Sequence, residues 1–107
     1  MSSHHFVKEG QEPAVFITEP LSLELIEPLL EWAPLVMITD TVLDDAIRWG
    51  FKIDVVITHT ITQQIVAEKM AAQIPFKIIS YQDEENSVIK GLNYLLKQNQ
   101  QAVHVIN

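Results

Sequence analysis

At 107 residues and 12.2 kDa, with 48% hydrophobic residues, the chain can build one core but not two. Its formal net charge is −7, and with seven basic residues against fourteen acidic ones, Arg48 the sole arginine, no basic stripe can be assembled. That argues against nucleic acid or an anionic membrane as partner. Cysteine is absent, which excludes disulfides and thiolate metal sites.

Residues 1–13, "MSSHHFVKEGQEP", read as a polar arm. They hold no apolar stretch of the kind a secretory signal needs, and no apolar run in the chain approaches the roughly 20 residues of a membrane span. A cytoplasmic location is the expectation. Residues 14–107 then alternate two kinds of segment. Apolar runs at Ala14–Ile17, Leu35–Ile38, Val55–Ile57, Phe76–Ile79 and Ala102–Ile106 predict five strands, separated by segments with apolar residues at helical spacing. In the first helical segment, "LSLELIEPLLEWAP", Pro28 cannot sit in a regular helix interior. One helix with an irregular first turn is expected, or a regular part beginning at Pro28.

The second helix is the clearest. Thr41 stands three residues before Asp44 as in a capping box, Val42, Leu43, Ala46 and Ile47 share a face, and Gly50 supplies the stop. The third starts near Thr60–Thr62, turns Ile65, Val66 and Met70 inward and ends before Pro75. The fourth starts at Asn86–Ser87 and is expected to bury Val88, Ile89, Leu92, Leu95 and Leu96, with Glu84 and Glu85 at its positive end and Lys97 at its negative end. Strand and helix in strict alternation predict a parallel sheet, here a three-layer α/β sheet of Rossmann-like type with about five strands and helices on both faces. Lys77 and His104 interrupt the last two strands, which places one or both at an edge. No repeat or internal linker stands out.

Ligands of open parallel sheets bind beyond the carboxyl ends of the strands. The residues due there are Thr18-Glu19, Thr39-Asp40-Thr41, Thr58-His59-Thr60, Gln82 to Asn86 and Asn107. None of the three glycines, Gly10, Gly50 and Gly91, falls at such a corner, and no phosphate-cradling pattern is present. Asp40 reads either as a helix cap, the commoner case, or as a magnesium ligand. His59 has no second histidine at ligand spacing and reads as polar surface, with a base or ligand role as the sharper alternative. His104 suits a strand edge. Asp83-Glu84-Glu85 has the look of a metal site, yet solvated charge at a helix start accounts for it. Ser22, Ser80 and Ser87 lack a nucleophile-elbow context, and Trp32 and Trp49 read as core edges.

Two stretches, "LEWAPLVMITDTVLDDAIRWGFKIDVVITHT" and "FKIISYQDEENSVIKGLNYLL", resemble the N-terminal domain of thiamine pyrophosphokinases in element order and spacing. The resemblance covers essentially the whole chain. It implies a Rossmann-like domain from an enzyme that transfers pyrophosphate from ATP to thiamine, with magnesium held by clustered aspartates. By family position, Asp40, Thr41, Thr58, His59 and Thr60 are the nucleotide-site residues, and Asp40, Asp83 and Glu84 the metal-site residues. The departures matter as much. At the second corner Thr41 and Val42 replace the small residues of an Asp-Gly-Gly type turn. At the third, Thr58-His59-Thr60-Ile61-Thr62 stands where the family has Gly-Asp-x-Asp-Ser. Before the fourth helix, Glu84, Asn86 and Ser87 fall at the places of an Asp-x-Thr-Asp pattern. The family continues past the fifth strand into a β-rich second domain, and Asn107 is the last residue here. The expectation is therefore a relative without catalytic activity on its own and without a bound cofactor, acting as a binding or interaction module and open to homo-oligomer formation. The alternative is residual metal-dependent ATP binding or transferase activity, with magnesium and ATP as cofactors.

Overall fold

The computed structural model of the chain describes residues 13–19, 23–31, 34–98, 100 and 102–106. Most of the polar arm, Ser22, Trp32 and Asn107 lie outside them. Five strands form one parallel sheet: β1 (Ala14–Ile17), β2 (Val36–Thr39), β3 (Val55–His59), β4 (Lys77–Tyr81) and β5 (Val103–Ile106), in the order β4-β3-β2-β1-β5. The α-helices are α1 (Leu23–Ile26), α2 (Leu43–Trp49), α3 (Gln63–Lys69) and α4 (Ser87–Lys97). From β1 the chain steps outward to β4, then returns through α4 to place β5 on the far side of β1. The sheet thus reverses direction at β1.

The α/β open sheet expected from the alternation is the observed fold. Strands β1 and β2 are buried along their whole length and β3 all but its last residue, as a strand covered on both faces must be. Both β4 and β5 are edges and are partly exposed. One face of the sheet packs Val15, Ile17, Val36, Ile38 and Val56 against Ile26 of α1, Leu43 and Ala46 of α2, and Val66 and Met70 at the end of α3. The other packs Ala14, Phe16, Met37, Val55 and Ile57 against α4 through Val88, Leu92 and Leu95. Among the described residues, α-helices cover the two faces three to one.

Several local expectations are corrected. Pro28 ends α-helical geometry: α1 makes one turn and gives way to a 3-10 turn at Glu27–Leu30 with Pro28 in its first positions, where a missing N–H costs nothing. Thr41 is not a capping box. A 3-10 turn at Asp40–Val42 precedes α2, no side chain caps the helix, and the Thr41 hydroxyl bonds Thr39 Oγ1 at 2.7 Å instead. Gly50 ends α2 at φ 82, as the left-handed stop requires. Ile65 of α3 faces solvent while Val66 and Met70 are buried. Ile89 and Leu96 of α4 are exposed as well, and Ile47 of α2 is partly so.

The amino end of the sheet is held by polar anchors. The Asp54 carboxylate accepts from Val36 N–H at 2.8 Å, and Lys52 Nζ donates to the carbonyls of Ile53, Gln73 and Pro75 at 2.6–2.7 Å. Trp49 is half-buried and stacks on Phe51, ring centroids 5.7 Å apart.

Candidate functional site

All six threonines of the chain stand at the carboxyl end of the sheet, at positions 18, 39, 41, 58, 60 and 62. Three of them, Thr18, Thr39 and Thr58, belong to a pattern that a search for long repeats overlooks. Strands β1 to β4 end in Ile17-Thr18-Glu19, Ile38-Thr39-Asp40, Ile57-Thr58-His59 and Ile79-Ser80-Tyr81. In each, a β-branched residue is followed by a hydroxyl and then by a charged or ring side chain. Register then splits the four. Ile17 pairs with Ile38, but Thr39 pairs with Ile57, a slip of one residue, and Thr58 pairs with Ser80. Side chains alternate along a strand, so equivalent letters of β1–β2 and β3–β4 point to opposite faces. Thr18, Thr39, His59 and Tyr81 lie on the α4 side, Thr58 and Ser80 on the three-helix side.

Around the corner after β3 the rim is closed. The Thr58 hydroxyl is fully buried, donates to the Asp40 carboxylate at 3.2 Å and bonds Thr62 Oγ1 at 2.8 Å. Thr62 Oγ1 also lies 3.1 Å from the His59 carbonyl, so with the Thr58 proton on Asp40 the single Thr62 proton is shared between Thr58 Oγ1 and that carbonyl. His59 is engaged at both ring nitrogens. Its Nδ1 accepts from Ile61 N–H at 3.1 Å, capping the 3-10 turn Thr60–Thr62, which leaves the ring proton on Nε2 to donate to the Asp83 carboxylate. Its ring also meets Tyr81 edge-on, centroids 5.4 Å apart. Thr60 donates to the Tyr81 carbonyl at 2.9 Å.

On the α4 side the rim is open. A crevice of about 300 Å³ is lined by Thr18, Glu19, Thr39, Asp40, Thr41, Tyr81, Ser87 and Val88. It sits outside the carboxyl ends of β1 and β2, next to the strand where the sheet reverses, the expected place for a ligand in such folds. The Thr39 and Thr41 hydroxyls, bonded to each other, both lie 3.3 Å from the Thr18 carbonyl, and the one whose proton is not spent on the other donates to it, which draws the β1 and β2 corners together. The Tyr81 hydroxyl has its pKa raised above the ordinary value of 10.0, first by burial and then by the negative charge of Asp40. Tyr81 went unnoticed among the residues due at the rim. The Ile-Ser-Tyr ending was the signal that would have found it.

Of the residues expected at the nucleotide site, Asp40, Thr41, Thr58, His59 and Thr60 do gather at neighbouring strand ends. The acidic run divides. Asp83 is held by His59, Glu84 is exposed, and Glu85 accepts from Gln82 N–H at 2.9 Å and from Lys90 Nζ at 2.8 Å. Those bonds depress the Glu85 pKa, the Lys90 bond most. Among the described residues no three His, Asp or Glu side chains converge as a cation site would need. At the start of α4, Asn86 Oδ1 accepts from the N–H groups of Val88 and Ile89 at 2.9 and 3.1 Å, taking donors that a phosphate would otherwise use. Among the described residues, no lysine or arginine lines the crevice.

Comparison with protein-family models, with curated proteins and with solved structures gives no match.

Proposed function

We propose that this chain is a binding and interaction module related to the thiamine pyrophosphokinases and carries out no phosphoryl transfer by itself. One observation carries the reading: the corner after β3 spends its polar groups on its own neighbours, Thr58 on Asp40 and Thr62, His59 on Ile61 N–H and Asp83. Phosphoryl transfer asks the protein mainly for placement and for charge neutralisation through a metal. A carboxylate bonded to a buried threonine and another bonded to a histidine would have to give up those partners to hold magnesium. A triphosphate would then arrive at a crevice lined by Glu19 and Asp40, with no cationic side chain among the described residues to meet it.

The open crevice supports the binding half of the proposal. Its lining of hydroxyls and carboxylates around one apolar contact suits a small neutral or cationic molecule that donates hydrogen bonds, and its volume is at the low end for small-molecule sites. Thermal-shift titration tests both halves. Millimolar Mg-ATP or ADP should leave the midpoint unchanged, and ATP with thiamine should yield no AMP. A ligand at 100 times its Kd raises stability by about 2.7 kcal/mol, so even modest nucleotide binding would register. A shift with Mg-ATP, or AMP formation dependent on thiamine, overturns the proposal in favour of residual transferase chemistry at Asp40.

A further inference from the structure

The crevice at the carboxyl rim holds donors and acceptors in unequal supply. Thr18 gives its hydroxyl proton to the Ile106 carbonyl at 3.0 Å. Of the two protons on Thr39 and Thr41, one joins the pair at 2.7 Å and the other goes to the Thr18 carbonyl at 3.3 Å. A hydroxyl has one proton and two lone pairs, so these three side chains offer a ligand lone pairs and no protons. At the start of α4 the N–H groups of Val88 and Ile89 are taken by Asn86. Among the described lining residues, Tyr81 and Ser87 alone keep hydroxyl protons that are not spent within the protein.

Charge follows the same bias. Asp40 bonds Thr58 through one carboxylate oxygen, Oδ2, and Glu19 stands exposed at the β1 corner. Asp40 also contributes to the raised pKa of Tyr81, so its charge is felt across the opening. Acceptors beside carboxylates suit a ligand that is positive and brings its own hydrogens. A metal ion is the poorer fit. Among the described residues no three His, Asp or Glu side chains converge, and about 300 Å³ is far more than a bare ion fills. A primary ammonium has three N–H donors and no acceptor, and leaves a carbon chain to occupy the remaining space against Val88 and the Tyr81 ring.

Building on the reading of this crevice as a small-molecule site, we propose that its ligand is a small primary alkylamine in the ammonium form. The head sits between the Asp40 carboxylate and the Thr18, Thr39 and Thr41 oxygens, and the chain lies toward Val88. Glu19 supplies a second negative charge at the mouth. A neutral alcohol brings one donor and no charge, and a quaternary ammonium brings charge without donors, so neither should match it.

Butylamine, protonated at pH 7, is the probe. Titrated into the 15N-labelled full chain, it should shift the amides of Thr18, Thr41 and Val88 with a Kd of about 1 mM, within reach of so small a ligand. Butanol and trimethylbutylammonium should each bind at least about 10-fold more weakly, as loss of a charged hydrogen bond predicts. Asp40→Asn keeps an oxygen for Thr58 and should weaken butylamine by about 10-fold, and Glu19→Gln, at an exposed charge, by about 3-fold. Glu68→Gln, at an exposed carboxylate on α3, should change nothing. The dispersion of the same spectra verifies that each variant is folded. Crevice amides that do not move at about 50 times the expected Kd overturn the proposal. Equal binding of trimethylbutylammonium or of butanol overturns it too, since charge alone or donors alone would then suffice. Mg-ATP, titrated in parallel, separates the two levels: shifts of these amides overturn the reading of the crevice itself, whereas silence from both probes overturns the ammonium assignment alone. A lysine side chain carries the same head. N-acetyl-lysine-methylamide binding more tightly than butylamine assigns the head to a protein lysine, and no tighter binding assigns it to a free amine; either result upholds the ammonium site.

Discussion

The two faces of the sheet are built from the same strands yet finish differently. Under α1, α2 and α3 lies the larger cluster of buried apolar residues, and past the strand ends the fully buried Thr58 bonds both Asp40 and Thr62. Under α4 the cover is partial. The helix fits tightly over Phe16 and Met37, leaves a groove beside β5, and leaves a crevice at the rim between Thr18, Thr39 and Tyr81. A closed surface contributes stability, whereas an incomplete one has groups left over for other molecules. The crevice at the carboxyl rim therefore opens on the face with fewer helices.

The most severe way to break the sparse face is at its one tight contact. Gly91 allows α4 to rest on Phe16, and a Cβ there would stand 2.6 and 2.8 Å from two atoms of a ring that is itself fully buried. Gly91→Val should destabilise by about 3 kcal/mol, the upper range for overpacking. Gly91→Ala should cost about 1–2 kcal/mol, because better helix propensity returns up to about 1 kcal/mol of the strain. Phe16→Leu removes the ring tip, so Gly91→Ala should be milder in that background. Denaturant unfolding of the four variants measures the coupling, and strict additivity would show that the ring is not the obstacle.

The closed rim should respond less. Thr58→Val keeps the shape of a fully buried side chain and deletes the hydroxyl shared by Asp40 and Thr62. Its expected cost is about 1–2 kcal/mol, the range for a hydrogen-bonded group whose partners stay behind. Thr60→Val, one step out on an exposed side chain bonded to the Tyr81 carbonyl, should fall within about 0.5 kcal/mol. Equal effects at the two positions would mean that the Asp40–Thr58–Thr62 set does not close the rim.

How much of this was legible beforehand differs between the faces too. The three-helix face follows from short-range pattern: β1 occupies the range its apolar run marks, and Gly50 ends α2 where a left-handed residue was due. The α4 face does not. Helical spacing assigned Ile89 and Leu96 to the core because it identifies apolar arcs without saying how wide a surface lies beneath them. At the rim the residue types due beyond each strand were readable one corner at a time. Their faces were not, since the one-residue slip between β2 and β3 is a property of strand pairing that neither strand's sequence contains. Thr41 was misread for a related reason. A capping box presumes that the helix starts directly after the cap, and an intervening 3-10 turn moved Thr41 into the contact with Thr39 and Thr18.

The gentlest probe of the open rim is the ionisation of Tyr81. Burial raises its pKa and the charge of Asp40 raises it further, so the phenol should lose its proton above pH 10 and later than a free tyrosine. The sign for stability follows by linkage. The unfolded chain releases this proton first, so the folded state is undisturbed below about pH 10 and loses stability as pH climbs from there through the folded pKa. The absorbance difference between the protein and Tyr81→Phe during an alkaline titration isolates this one hydroxyl. Asp40→Asn removes the lesser cause and should bring the midpoint part of the way back toward 10, leaving the share due to burial. A midpoint unmoved by Asp40→Asn would mean that the carboxylate faces Thr58 alone, and the crevice would then lose one of its two negative walls.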